Sequence, residues 1–142
     1  MSDALTLWPF QQAIYSYLSD HDALQSALAL PVQFYDDPPP DASFPYAVIG
    51  ETRSSAFAGI DGGIEHDFRL HVFSRHAGRQ EVKLILDALY TALHDAPVPL
   101  TGQCLVSIRF VFADIFRRTD RNIYQGVARF RAVTHPKSIN AQ

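Results

Sequence analysis

Ile64-Glu65-His66-Asp67-Phe68-Arg69-Leu70-His71-Val72-Phe73 alternates Ile64, Phe68, Leu70 and Val72 on one side with Glu65, Asp67, Arg69 and His71 on the other. Side chains of a strand point alternately to its two faces, so this run is a half-buried β-strand with a core face and a polar face. Upstream, Tyr46-Ala47-Val48-Ile49-Gly50-Glu51 has the β-branched content of a second strand, buried, entered through the aromatic–proline step Phe44-Pro45. Both isomers are open at that bond, cis being the minority expectation. Between these strands, Arg53 to Gly63 carries Gly59, Asp61, Gly62 and Gly63 and predicts a long hairpin connection. Such a length exceeds the usual two to five or so hairpin residues, and long connections are often functional or mobile. The connection is either a tolerated floppy insertion or a functional segment, which would offer Arg53, Ser54, Phe57, Ile60 and Asp61 as contact residues.

Helical periodicity flanks the strands. Phe10, Ile14, Tyr17 and Leu18 recur at helix spacing between Trp8 and Leu18, with Pro9 tolerated in the first turn. A shorter helix is expected through Ala23, Leu24, Ala27 and Leu28, capped by Asp20 or Asp22 and ended by Pro31. Val32 to Tyr35 is a brief strand that runs into Asp36-Asp37-Pro38-Pro39-Pro40-Asp41, a stiff extended connector. From Gln80 to Leu93, Val82, Ile85, Leu86, Leu89 and Leu93 form one stripe opposite Glu81, Lys83 and Asp87, and Pro97 and Pro99 stop the helix.

Two further strands follow. Leu105 to Phe112 is expected to place Val106, Ile108, Phe110 and Phe112 on one face and Ser107 and Arg109 on the other. Tyr124 to Thr134 places Tyr124, Ala128 and Phe130 opposite Val127, Arg129, Arg131 and Val133. They form a hairpin through the basic link Arg117-Arg118-Thr119-Asp120-Arg121. The fold class is α+β, an antiparallel sheet with helices packed on one face. One domain is expected over residues 1–135, with a frayed tail over 136–142.

Composition narrows function. With 47% hydrophobic and 19% charged residues the chain is globular, and no apolar run approaches the roughly 20 residues that span a bilayer. Neither does the N-terminus read as a secretory signal, so cytoplasmic synthesis is expected. Cys104 is the single cysteine and reads as a small buried hydrophobe, which leaves no disulfide framework or thiolate cluster. His66 and His71, five apart on a strand, point to opposite faces and cannot chelate one metal. Ser74, His76 and Asp95 make a triad only on paper, because no nucleophile-elbow motif surrounds any serine. The glycines near Asp61 lack the Lys-Ser/Thr of a phosphate loop and are followed by a strand. No catalytic residue, metal or cofactor is expected.

The net charge of −3 divides at Gly102. Up to that residue 5 Lys and Arg stand against 13 Asp and Glu; after it 7 Lys and Arg stand against Asp114 and Asp120. The halves either neutralise each other across a sheet or present a basic face to an acidic partner, nucleic acid or another copy. Arg109, Arg117, Arg118, Arg121, Arg129 and Arg131 are the residues such a face would use. A nucleic-acid-binding module built on them is the alternative reading, although only Phe116 and Tyr124 lie near as stacking side chains.

Taken in order, Phe44-Pro45-Tyr46-Ala47-Val48-Ile49-Gly50-Glu51, His71-Val72-Phe73-Ser74-Arg75, Gly78-Arg79-Gln80-Glu81 with its helix, and Ala128-Arg129-Phe130-Arg131-Ala132 resemble the tail-completion or tail-terminator proteins of long-tailed phages and phage-derived gene transfer agents. The likeness runs from about Trp8 to Thr134. Similar proteins often carry Trp at the position of Phe73, and Thr119 to Tyr124 departs further. The resemblance implies a virion protein that forms a homo-oligomeric ring, expected to be a hexamer, capping the tail tube and joining it to the head-side connector. DNA would pass through its bore without sequence recognition. A closed ring needs two different patches that fit each other, which opposed charges can supply.

Overall fold

The computed structural model describes residues 6–21, 24, 33–75, 79–118 and 122–137. The expected helix around Ala23 to Leu28 lies outside them except for Leu24, which is buried in the core. Helix α1 spans Leu7–Ser19, strand β1 Gln33–Tyr35, β2 Tyr46–Phe57, β3 Gly63–Ser74, helix α2 Gln80–Leu93, β4 Gln103–Arg118 and β5 Ile123–Pro136. The five strands form one sheet in the order β1-β2-β3-β5-β4. Every neighbour is antiparallel except β1, which runs parallel to β2 from Gln33 opposite Tyr46 to Tyr35 opposite Val48. The sheet is therefore mixed rather than wholly antiparallel. The chain must travel back through the proline connector before β2 starts, and β1 and β2 consequently share a direction.

The alternation read in β3 holds. His66, Phe68, Leu70, Val72 and Ser74 are buried, with half-buried residues between them. Phe68 stacks on Phe130 of β5 at 5.8 Å, Phe110 of β4 meets Phe130 edge-on at 5.7 Å, and Phe10 of α1 meets Phe68 edge-on at 5.6 Å. These rings interlock three strands and a helix, in geometries that favour aromatic pairs beyond their buried area. Helix α2 lays Val82 and Leu86 over Gly126, whose lack of a side chain sets how near the helix comes: a Cβ there would lie 2.6 Å from Val82 Cγ1. Gly126 pairs with Val72, and Phe130 with Phe68, so both helices touch residues of one sheet parity.

The helices begin without side-chain caps. Glu81 in the first turn of α2 complements the positive helix end, and its carboxylate accepts a hydrogen bond from Ser74 at 2.5 Å. Beyond Leu93, Asp95 takes φ 57° and its N–H bonds Ile108 O at 2.8 Å, so the chain turns back along β4 before the prolines. β5 continues to Pro136, and Lys137 N–H bonds Gly102 O at 3.1 Å, so the sheet extends just past the predicted end at 135.

Two further expectations change, and the isomer at Pro45 is settled. The segment Arg53 to Gly63 is not a long loop: β2 continues to Phe57 and pairs residue by residue with β3, leaving a turn of residues 58–62. Its small polar residues pair as strand because each finds a partner on β3, from Arg53 opposite Asp67 to Phe57 opposite Gly63. Phe112 lies on the polar face instead of with Phe110, because the register shifts between Phe110 and Phe112 and the extra residue reverses the alternation. The Phe44–Pro45 peptide is cis.

Candidate assembly surface

The polar face of the sheet is built from side chains that answer one another across strands. Arg129 on β5 donates from Nε to Asp67 Oδ1 at 2.7 Å and from a terminal nitrogen to Asp67 Oδ2. Arg131 reaches Asp67 and Glu65, each at 3.7 Å. Arg69 and Arg129 both lie over the ring of Phe112, at 5.6 and 5.9 Å. Further along the face, His71 Nε2 bonds Glu51 Oε1 at 2.8 Å and Nδ1 bonds the amide of Gln125 at 3.1 Å. Gly50 leaves the space for that imidazole, since a Cβ would come within 2.5 Å of it. Hydrogen bonding from Arg129 holds the Asp67 carboxyl below its ordinary range, and His71 does the same for Glu51.

Part of the charge division at Gly102 is therefore cancelled inside the subunit. Arg129 and Arg131, two members of the expected basic stripe, are partnered by acids of β3. Arg109 is exposed and stands 3.8 Å from Asp95. Arg117 is exposed and donates to Asn122 Oδ1 at 2.6 Å; Arg118 is exposed at the end of β4, and Arg121 lies outside the described residues. The exposed basic side chains among the described residues of this hairpin are thus Arg109, Arg117 and Arg118 on β4 and Arg131 on β5, the last with Asp67 and Glu65 beside it.

The other predicted contacts divide in the same way. Arg53 is exposed on β2, while Phe57, Ile60 and Asp61 sit at or beside the turn that ends the β2–β3 hairpin. Ile60 N–H bonds Phe57 O at 3.4 Å and Gly63 N–H bonds Ile60 O at 2.9 Å, so the turn is closed by its own backbone. Ser54 faces inward and is no free contact: its hydroxyl bonds His66 Nδ1 at 2.9 Å. His66 is fully buried, bonds Thr134 through Nε2 at 3.1 Å and stacks on Phe10 at 4.2 Å. Burial lowers its pKa to about 4, so the ring is neutral at pH 7. His66 and His71 lie on opposite faces, and no cluster of three or more His, Cys, Asp or Glu is placed to hold a metal among the described residues. Ser74 is buried against Glu81, and His76 lies outside the described residues.

A groove absent from the sequence reading occupies the Tyr46 end of the polar face. It has a volume of about 580 Å³ and runs from Pro38 and Pro40 past Phe44, Tyr46 and Phe73 to Arg118. Tyr46 stacks on Phe73 at 5.1 Å, and Arg75 covers the Phe44 ring at 4.4 Å. The aromatic residues were visible in sequence, but the proline connector had to fold back beside β2 to make a wall of them.

Residues 12–135 match the family described as tail completion protein gp17. The chain belongs to the tail completion protein family. In three dimensions this tail completion protein is similar to a chain from a structure titled "Virion of native gene transfer agent (GTA) particle", with a TM-score of 0.75 and 26% sequence identity over 89% of this chain and 94% of that one. No curated protein matches the sequence. The predicted order of segments is thus that of a tail component found in phage-like particles, and the protein is a structural part of such a particle.

Proposed function

We propose that this tail completion protein acts as a tail terminator: a homo-oligomeric ring, a hexamer, that caps the finished tail tube and joins it to the head-side connector, with DNA passing through the bore. The observation that carries the reading is the structural likeness to a gene transfer agent virion chain over nearly all of both chains. Assembly takes place in the bacterial cytoplasm, and one domain supplies the subunit. The helices cover one face of the sheet, leaving the polar face, the β2–β3 hairpin tip and exposed Arg109, Arg117 and Arg118 for neighbours. Neutralisation of Arg129 and Arg131 by Asp67 and Glu65 weighs against a nucleic-acid-binding module, which would need those guanidinium groups for phosphates.

Negative-stain electron microscopy of the purified protein, alone and with tail-tube protein, tests the proposal. Sixfold rings are the expected result. Monomer under both conditions would overturn it.

A further inference from the structure

The two outer strands of the sheet are each covered over only part of their length. β1 lies beside β2 from Tyr46 to Val48, so among the described residues the outer edge of β2 from Gly50 to Phe57 has no strand next to it. Next to this stretch a cleft of about 250 Å³ opens between α1 and the sheet, with Leu7, Phe10, Ile14, Ile49 and Phe68 as apolar walls and exposed Thr52 in its lining. At the far end of the strand order, β4 is capped where the chain after α2 passes it: Ile108 O accepts from Asp95 N–H, and Phe110 N–H donates to His94 Nδ1 at 3.1 Å. Beyond Phe110 no described strand lies on its outer side, and Val111 and Phe116 are exposed.

An uncovered edge offers backbone donors and acceptors to any extended strand, and a neighbouring cleft gives room to the side chains of an added one. The β2 stretch itself balances Glu51 against Arg53, with exposed Asp36, Asp37 and Asp41 on the connector beside its β1 end, while β4 beyond Phe110 has exposed Arg117 and Arg118 against Asp114. Two different edges at opposite ends of one sheet give a head-to-tail contact, and the opposite charges of the connector and of β4 favour each edge meeting the other over meeting its own kind.

We infer that the outer edge of β2 from Gly50 to Phe57 receives the outer edge of β4 beyond Phe110 from a second copy, so that the sheet continues from subunit to subunit. This deepens the ring reading and rests on it. Exposed Ser55 and Ala113 mark the two edges. In a Cys104→Ser background with folding verified by circular dichroism, Ser55→Cys and Ala113→Cys proteins are prepared separately and mixed, with tail-tube protein present, then treated with a short bismaleimide. The mixture is expected to yield covalent dimers of this chain, and neither single variant should.

Rings seen by microscopy without mixed crosslinking would overturn the edge pairing and leave the ring reading intact. Dimers from either variant alone would mean that like edges pair, which overturns the proposal. Absence of any oligomer would overturn both readings. As a second measurement, Thr52→Arg places a charge beside the cleft and is expected to cut the ring population at fixed protein concentration about tenfold, with an unchanged thermal midpoint for the monomer. An undiminished ring population would overturn the pairing.

Discussion

Arg129 sits directly opposite Arg69 in the β3–β5 register, yet its guanidinium reaches diagonally to both carboxylate oxygens of Asp67. Like charges facing each other across strands repel, and the diagonal bond places an acid between them. Arg131 is opposite Asp67 and also opposite Arg109, so Asp67 is shared by Arg129 and Arg131, with Glu65 also beside Arg131 and Asp95 beside Arg109.

Replacing Asp67 with Asn is therefore expected to lower the thermal midpoint by several degrees, and Asp67→Asn combined with Arg129→Gln should be less harmful than the sum of the two. A double-mutant cycle in urea measures the coupling. Because the Asp67 pKa is depressed in the folded state, the contribution is present above the ordinary carboxylate range and is lost as pH falls through the folded value. Additive losses in the cycle would show that the two side chains act independently.

His66 gives a second, separate acid response. Its folded pKa of about 4 lies below the unfolded value near 6.5, so the unfolded chain binds the extra proton first. Stability contributed by the neutral ring is fully present above about pH 6.5 and declines as pH falls toward 4, with a slope approaching ~1.4 kcal/mol per pH unit. His66→Gln retains hydrogen-bonding capacity for Ser54 and Thr134 and is expected to flatten the urea midpoint between pH 6 and pH 4.5, a window chosen on the ~6.5 reference value. An equally steep decline in that variant would place the response elsewhere.

Gly126→Ala puts a methyl group 2.6 Å from Val82 Cγ1 and 3.0 Å from Leu86 Cδ1. The expected cost is roughly 1–3 kcal/mol of unfolding free energy, as for other overpacked cores. Adding Val82→Ala should recover much of it by removing the obstructing methyl groups. Chemical denaturation of the single and double variants checks both steps, and a neutral Gly126→Ala would show that α2 can move away from the sheet freely.

The hairpin tip separates folding from assembly. Replacing residues 58–62 by Asn-Gly keeps Ser54 beside His66 and preserves the paired strands, so the thermal midpoint should stay within a few degrees. Particles built with this variant are expected to show a large fall in infectious or transducing titre, because Ile60 and Asp61 are gone. A normal titre would remove the tip from the assembly surface.

The sequence by itself determined the elements of the core. Alternation in Ile64 to Phe73 and the helical stripe from Val82 to Leu93 are local consequences of burying one face, and each can be read without knowing its neighbours. Arg53 to Phe57 could not be read in this way. Polar and small residues carry no strand periodicity of their own, and their conformation is settled by β3 lying alongside. The face of Phe112 depended on a one-residue register shift, and the parallel placement of β1 on the path of the proline connector.

Among the candidate contacts, tertiary structure decided which charges remain available. Six arginines after Gly102 look alike in sequence. Arg129 and Arg131 meet acids because β5 lies between β4 and the acidic strand β3, whereas Arg117 and Arg118 lie on the outermost strand away from those acids and Arg109 meets only Asp95 after α2. Strand order is a long-range property: it is set by which faces and edges bury together, and no local pattern in the chain encodes it.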